Sequence, residues 1–286
     1  MIDYALTPDQ IAFRDTVRDF VNHEVKPFVL DAARLQDLSR PLPIELIDQA
    51  SRMGLRTLSL SEASGGAAAD HLTACIVTEE LGAGDVDVAM PLAHTAMLAS
   101  MIFDRAMTSE QRGRFLPGFL DDDRCHLAFA AAPPNRDLRW KYHRAVDATL
   151  ECGITAVQRG DDWVLNGENG FVANAPLAKL MVVQARGSGS DSLLTLLVER
   201  ETPGLMVEDF ASSADSVKWY HGAGGKLKLT DCKIAAANAI STEKANALET
   251  IDNNHPQFCA MNIGVGRAAF EAAIEYAKLR VQGGRP

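Results

Sequence analysis

The apolar residues of this chain recur at a helical period up to about Asp121, at strand-like spacing from there to about Ala245, and at a helical period again beyond it. Each period lets only one kind of element bury its apolar side, so the expected order is helices, then a sheet, then helix. Within the first segment, Thr7-Pro8-Asp9-Gln10 opens a helix as a capping box with proline in the first turn. Phe13, Val17, Phe20, Val21 and Val25 then make one apolar stripe until Pro27. A second helix is expected from Ile44 to Met53 with its stop at Gly54, and a third from the cap Asp70 through Glu79 and Leu81. Val88 to Ile102 reads as a fourth, and the capping box Thr108-Ser109-Glu110-Gln111 opens a fifth.

Past Asp121, short runs rich in Val, Leu and Thr alternate with turn residues at Gly160-Asp161-Asp162, Asn166-Gly167, Gly187-Ser188-Gly189-Ser190 and Pro203-Gly204. That spacing suggests a small antiparallel barrel or sandwich. Leu227 and Leu229, separated by Lys228, predict one exposed-edge strand. After about Ala245, Phe258, Met261, Val265, Ala269, Ala272 and Tyr276 fall on one helical face. The expected class is α+β, with a helical domain over 1–120, a β domain over 121–242 and a further helical segment over 243–286.

Composition narrows the function more than the fold. With 47% apolar residues in 286, the chain can bury a sizeable core. A net charge of -10 and a pI near 5.2 argue against nucleic acid or an anionic membrane as the main partner, because both repel an acidic surface. Cys75, Cys125, Cys152, Cys232 and Cys259 lack the paired spacing of zinc, haem or disulfide frameworks, which fits a reducing cytoplasm. His23, His71, His94, His126, His143, His221 and His255 show no metal-ligand spacing and read as surface or satisfied residues. The acidic start predicts no signal peptide, and Val88 to Phe103, interrupted by Pro91, His94 and Thr95, is expected to fall short of the ~18 apolar residues of a membrane span. Gly222-Ala223-Gly224-Gly225 lacks the Lys-Ser/Thr of a phosphate loop and reads as a tight turn into the strand of Lys226.

Three segments carry a resemblance to a known family. Asn166-Gly167-Glu168-Asn169-Gly170-Phe171-Val172-Ala173-Asn174-Ala175 is similar to the barrel-strand signature of the acyl-CoA dehydrogenases. Tyr276-Ala277-Lys278-Leu279-Arg280-Val281-Gln282-Gly283-Gly284-Arg285-Pro286 resembles the family's helix with Tyr-Ala, an Arg and Gln-Phe-Gly. The opening Leu6-Thr7, the helix through Val25-Lys26-Pro27, and Glu79-Glu80-Leu81-Gly82 resemble its N-terminal domain. The resemblance implies an N-terminal helical domain, a middle β-barrel and a C-terminal helical bundle, the last incomplete because the family's bundle runs on beyond the position of Pro286. It also implies FAD between barrel and bundle, completed by a neighbouring subunit of a homo- or hetero-oligomer, with an acyl-CoA substrate and an electron-acceptor flavoprotein as partners.

Desaturating an acyl thioester takes a base for the α-proton and a flavin for the β-hydride. Most of the family holds its glutamate base beyond the position of Pro286; a minority holds it on the helix that here begins near Ile251, and the matching residue is Asn254, which cannot act as a base. The catalytic residue is therefore unknown. Where the family has Thr-Glu-Pro, two small residues and Gly-Ser-Asp, this chain has Ala130-Ala131-Ala132-Pro133-Pro134-Asn135-Arg136-Asp137, so Ala130 and Arg136 replace a threonine and a serine that face the flavin or ligand. Main-chain groups of Phe129 and Ala130 still suit the ring edge. Phe171 is either a stacking partner for the isoalloxazine or plain barrel core, and Ala173 again replaces a threonine. Arg280 matches the arginine that binds the pyrophosphate of a neighbouring subunit's flavin, with a solvated helix position as the alternative, and Gly283 replaces a phenylalanine of that pocket. The readings are an FAD-dependent acyl-CoA dehydrogenase, a catalytically inactive or truncated subunit of a heteromeric one, or a flavin monooxygenase or nitroalkane oxidase of the same fold.

Overall fold

The computed structural model describes residues 5–37, 41–131, 153–188, 193–209, 222–245 and 256–282. Helix α1, Pro8–Phe20, starts at Thr7, whose hydroxyl accepts the Gln10 N–H at 3.2 Å while Gln10 Oε1 accepts the Thr7 N–H at 3.0 Å. The helical path does not stop at Pro27. A π-helical turn, Val21–Val25, leads into α2, Lys26–Val29, so the helical ladder is already irregular where Pro27 brings no N–H. Next come α3, Ala32–Gln36, and α4, Ile44–Arg52, followed by Gly54 at φ +84°. Asp70 caps α5, His71–Gly84; Asp85 caps α6, Val86–Ala99, which runs on as a π-helix over Ser100–Ala106. A second capping box at Thr108 opens α7, Ser109–Asp121.

Val86–Ala106 is long and apolar enough to cross a membrane, which corrects the reading of that stretch as too interrupted. It is the core helix of this fold: 78% of its most apolar window is buried by the elements around it.

Among the described residues eight strands follow: β1 His126–Ala130, β2 Ile154–Arg159, β3 Asp162–Ala173, β4 Ala178–Gly187, β5 Leu193–Glu199, β6 Leu205–Asp209, β7 Gly224–Ala235 and β8 Ala239–Ile240. They form one sheet in the order β6-β7-β3-β2-β4-β5-β8, with β1 also on β4. The sheet is mixed rather than antiparallel, since β1 and β2 both run parallel to β4. Strand β7 is not an edge; it lies between β3 and β6, and Leu227 and Leu229 are buried. Asn166-Gly167 is not a turn but an irregularity within β3, where Gly167 takes φ +124° and a Cβ would meet the Gly153 carbonyl oxygen at 2.0 Å. Of Gly222-Ala223-Gly224-Gly225 only Gly222, at φ +85°, has turn geometry, because β7 already begins at Gly224.

The chain then forms α8, Thr242–Ala245, and α9, Pro256–Leu279. One core lies inside the sheet, which curls around Ala128, Leu165, Val183, Leu196 and Leu227. A second fills the space between the outer sheet face and α6 with its continuation, through Leu127, Val182, Leu197, Phe103 and Phe119. The third joins α1, α4, α5 and α6, and Met261 of α9 enters it.

Helix α9 packs through Gln257, Ala260, Met261 and Gly264, not through the whole face from Phe258 to Tyr276. Backbone approach explains the difference. A Cβ on Gly264 would lie 2.1 Å from the Glu79 carbonyl oxygen, and one on Gly82 would lie 2.7 Å from the Met261 oxygen, so the small side of the helix is the side that fits α5. Val265 and Tyr276 stay exposed.

Candidate functional site

Side chains alternate along β1, which sends Leu127 and Phe129 toward the helices and Ala128 and Ala130 into the sheet core. Parallel register places Val182 beside Phe129 and Val183 beside Ala130. On β3, Val172 points into the same sheet core, so Phe171 and Ala173, one residue to either side, point outward and are both half-buried. The outer face is thus shared by Phe129, Phe171 and Ala173. Ala130 has no exposed surface, and its methyl group belongs to the sheet core.

Asn169 ties these strands together. It is buried, donates from Nδ2 to the Ala131 carbonyl at 3.1 Å, and accepts the Phe171 N–H on Oδ1 at 3.1 Å. Among the described residues β1 has a strand partner on one edge only, β4. Along the opposite edge, the main-chain groups of Phe129 and Ala130 face no strand among the described residues, and such groups require a partner of some kind. Arg280 lies just past the end of α9, exposed, and its N–H donates to the Tyr276 carbonyl at 2.9 Å. Among the described residues nothing joins its guanidinium to the two strands. Arg136, Asn254 and Gly283 lie outside the described residues.

A buried polar relay anchors the end of β3 to the core helix. Asn174 adopts the left-handed conformation at φ +63°, which asparagine tolerates better than most residues, and so turns the chain out of β3. Its Nδ2 donates to the Pro91 carbonyl at 3.0 Å and to Thr95 Oγ1 at 3.2 Å, and Thr95 Oγ1 lies 3.0 Å from His126 Nδ1. His126 is not a surface residue. It is 2% exposed, and its Nε2 has no hydrogen-bond partner among the described residues. Burial first, and the nearby Arg56 charge second, pull its pKa down to about 4, so the ring is neutral at pH 7.

Glu80 of α5 fixes α9 in place. Its carboxylate, nearly inaccessible to solvent, takes Arg18 Nη2 at 2.7 Å and Nε at 3.1 Å, and Arg267 Nη2 of α9 at 2.8 Å. Burial pushes this carboxyl up, but the hydrogen bonds from Arg18 and Arg267 outweigh it and hold it below the usual range. Asn169, Thr95, His126 and Glu80 were not separable in the sequence as site-forming residues. Asn169 and Glu80 stood inside the quoted motifs, yet their partners are remote in the chain.

Comparison with known proteins now defines the class. Residues 7–123 match the model of the acyl-CoA dehydrogenase N-terminal domain. An acyl-CoA dehydrogenase of Bacillus subtilis is 27% identical over 289 residues, covering 98% of this chain and 71% of its own length. The butyryl-CoA dehydrogenase structure from Megasphaera elsdenii superimposes with a TM-score of 0.79 at 25% identity, covering 100% of this chain and 73% of that one. A glutaryl-CoA dehydrogenase from Mycobacterium smegmatis in complex with FADH2 shares the fold at a TM-score of 0.77 and 22% identity, over 98% of this chain and 68% of that one. The architecture is the acyl-CoA dehydrogenase fold, a helical N-terminal region joined to a mixed sheet and a C-terminal helix. The family model thus accounts for residues 7–123, and over its whole length the chain is similar to acyl-CoA dehydrogenases.

Proposed function

We propose that this chain is an FAD-binding subunit that takes part in the α,β-desaturation of an acyl-CoA thioester and passes electrons to an electron-acceptor flavoprotein. The observation that carries the reading is the outer face shared by Phe129, Phe171 and Ala173 beside a strand edge that has no neighbouring strand among the described residues. A flat ring system with polar edges needs an apolar surface to lie on and main-chain groups to meet its rim, and this corner provides both. Bound there, FAD would supply the hydride acceptor. Phe171 would stack on the ring, the Phe129 and Ala130 main chain would meet its edge, and Arg280 would bind the pyrophosphate of a neighbouring subunit's flavin. Arg136 is assigned to the ligand side of the same pocket.

In this reading the domains are 1–120, 121–242 and 243–286, and the enzyme works in the cytoplasm. The α-proton must leave to a carboxylate outside these candidates, because the Asn254 amide cannot accept it. A second reading, a flavin-binding subunit that supports an active partner, is favoured by the alanine at 173, which gives the flavin no hydroxyl, and by the neutral Asn254.

Titrating FAD fluorescence with the chain tests the placement. Wild type is expected to quench it saturably, and Phe171→Ala to weaken the Kd by about tenfold through loss of stacking. Equal affinity in both would move the flavin away from β3.

A further inference from the structure

Three polar groups surround one hydroxyl in the buried relay. Thr95 of α6 has no exposed surface, and its Oγ1 is met by Asn174 Nδ2 at 3.2 Å, His126 Nδ1 at 3.0 Å and the Leu127 main-chain N–H at 3.5 Å. The Asn174 amide is oriented by its other bond: the Pro91 carbonyl at 3.0 Å can only accept, so the atom facing both Pro91 and Thr95 is the donor nitrogen. A hydroxyl oxygen has two lone pairs and one proton. Asn174 and Leu127 fill the lone pairs, and the proton goes to the remaining neighbour, His126 Nδ1. His126 is therefore the tautomer protonated at Nε2. The opposite tautomer would set three donors on Oγ1, strand the hydroxyl proton and leave a bare Nε2 in a buried site, whereas this one leaves only the Nε2–H unpaired among the described residues.

We propose that Thr95 is a positioning residue for the flavin face: by accepting from Asn174 and donating to His126, its hydroxyl fixes where β3 ends against α6. Asn174 directly follows Ala173, the last residue of β3. Its left-handed backbone persists only where the surroundings hold it, even for asparagine. Side-chain bonds to Pro91 and Thr95 supply part of that hold, and the main chain supplies the rest by accepting the Leu177 and Ala178 N–H groups at 2.9 Å each. Phe171 and Ala173 thus lie between two ties, Asn169 before them and Asn174 after them. Removing the hydroxyl loosens the second tie and orphans His126 Nδ1, and the slack appears first at Ala173. Because Thr95 is wholly buried, it acts on a ligand of the outer face only through β3. The consequence for flavin rests on the function proposed above; the order of the hydrogen bonds does not.

Two measurements on the full chain test this. Nitrogen NMR of wild type without flavin is expected to show His126 protonated at Nε2 and bare at Nδ1, and a proton on Nδ1 overturns the donor order. In FAD titrations, Thr95→Val, which keeps the shape of threonine, is expected to weaken binding about fivefold, the worth of one hydrogen bond, and to shift the Phe171 and Ala173 amide resonances. Thr95→Ser keeps the hydroxyl and is expected to bind as wild type does. Wild-type affinity with unshifted resonances in Thr95→Val overturns the proposal, as does a Thr95→Ser variant as impaired as Thr95→Val. A wild type that binds no FAD, while Thr95→Val still shifts Phe171 and Ala173, contradicts the flavin reading and supports the positioning of β3 by Thr95.

Discussion

Glu80→Ala is expected to destabilise the fold by about 3 kcal/mol, because removing one partner of a buried ion pair leaves the other without compensation. Arg18 is the lesser loss, since its side chain is 41% exposed and can turn to water. Arg267, at 23%, is held on the α5 side of α9 and keeps Glu79 as its nearest remaining carboxylate at 3.2 Å. Urea unfolding would read the total, and hydrogen exchange along 256–267 would show where it falls, with α9 losing protection before the sheet. Replacing Glu80 and Arg267 together by leucine should recover much of the loss, because two apolar groups leave no buried charge unpaired. An unchanged unfolding midpoint for Glu80→Ala would mean that the close helix approach at Gly82 and Gly264 holds α9 without the ion pair.

Acidification is expected to weaken the fold through His126. Its pKa falls from the ordinary histidine value of 6.5 to about 4 on folding. The neutral ring is favoured in the native state, so this contribution is complete above pH 6.5. As pH drops below that value the unfolded chain takes up a proton that the native chain refuses, and stability declines until about pH 4. The integrated loss is roughly 3 kcal/mol, two and a half pKa steps at the usual conversion. Glu80, whose pKa is held low, adds its own loss only as pH falls through the carboxylate range. The groups facing the imidazole act in both directions, since Asp122 opposes burial while Arg56 and Lys179 reinforce it. Unfolding curves at intervals from pH 7 to pH 4 check this, and His126→Gln should flatten the slope over that window. A slope that survives the substitution would assign the effect to another group.

Both effects come from residues whose role the sequence could not display, and the reason is range. The capping boxes at Thr7 and Thr108 were legible because donor and acceptor sit three residues apart, and both are formed as expected. Asp70 and Gly54 were legible for the same reason. Asn166-Gly167 misled because a turn signal is local, whereas its place inside β3 is set across the sheet, where Asn166 Oδ1 accepts the Asp231 N–H at 2.8 Å. The alternation of Leu227, Lys228 and Leu229 disclosed one buried face but not whether a strand lay along each edge. Parallel pairing of β1 with β4 needs an excursion through two strands, and no period within either strand encodes it.

The candidate site divides in the same manner. Phe171 and Ala173 could be placed by motif, and strand alternation puts them on one face with Phe129. The threonine expected at Ala130 would not share that face as a side chain, because the Ala130 methyl is enclosed by the sheet core. What holds the corner together, Asn169 on Ala131 and Asn174 on Thr95, joins residues separated by 38 and 79 positions. On α9 the apolar pattern was visible from sequence, but which part of it packs is decided by two glycines on different helices.

The most direct test is the visible absorption spectrum of the purified chain, loaded with excess FAD, cleared of unbound flavin and then titrated anaerobically with a panel of acyl-CoA thioesters. The account predicts a retained flavin band. Bleaching by one thioester would identify the chain as a dehydrogenase able to act with its own base or one supplied by a second copy, while a band that no thioester bleaches would identify the flavin-binding partner of an active subunit. A chain that is folded by circular dichroism yet retains no flavin would contradict the assignment of Phe129, Phe171 and Ala173 to a flavin face.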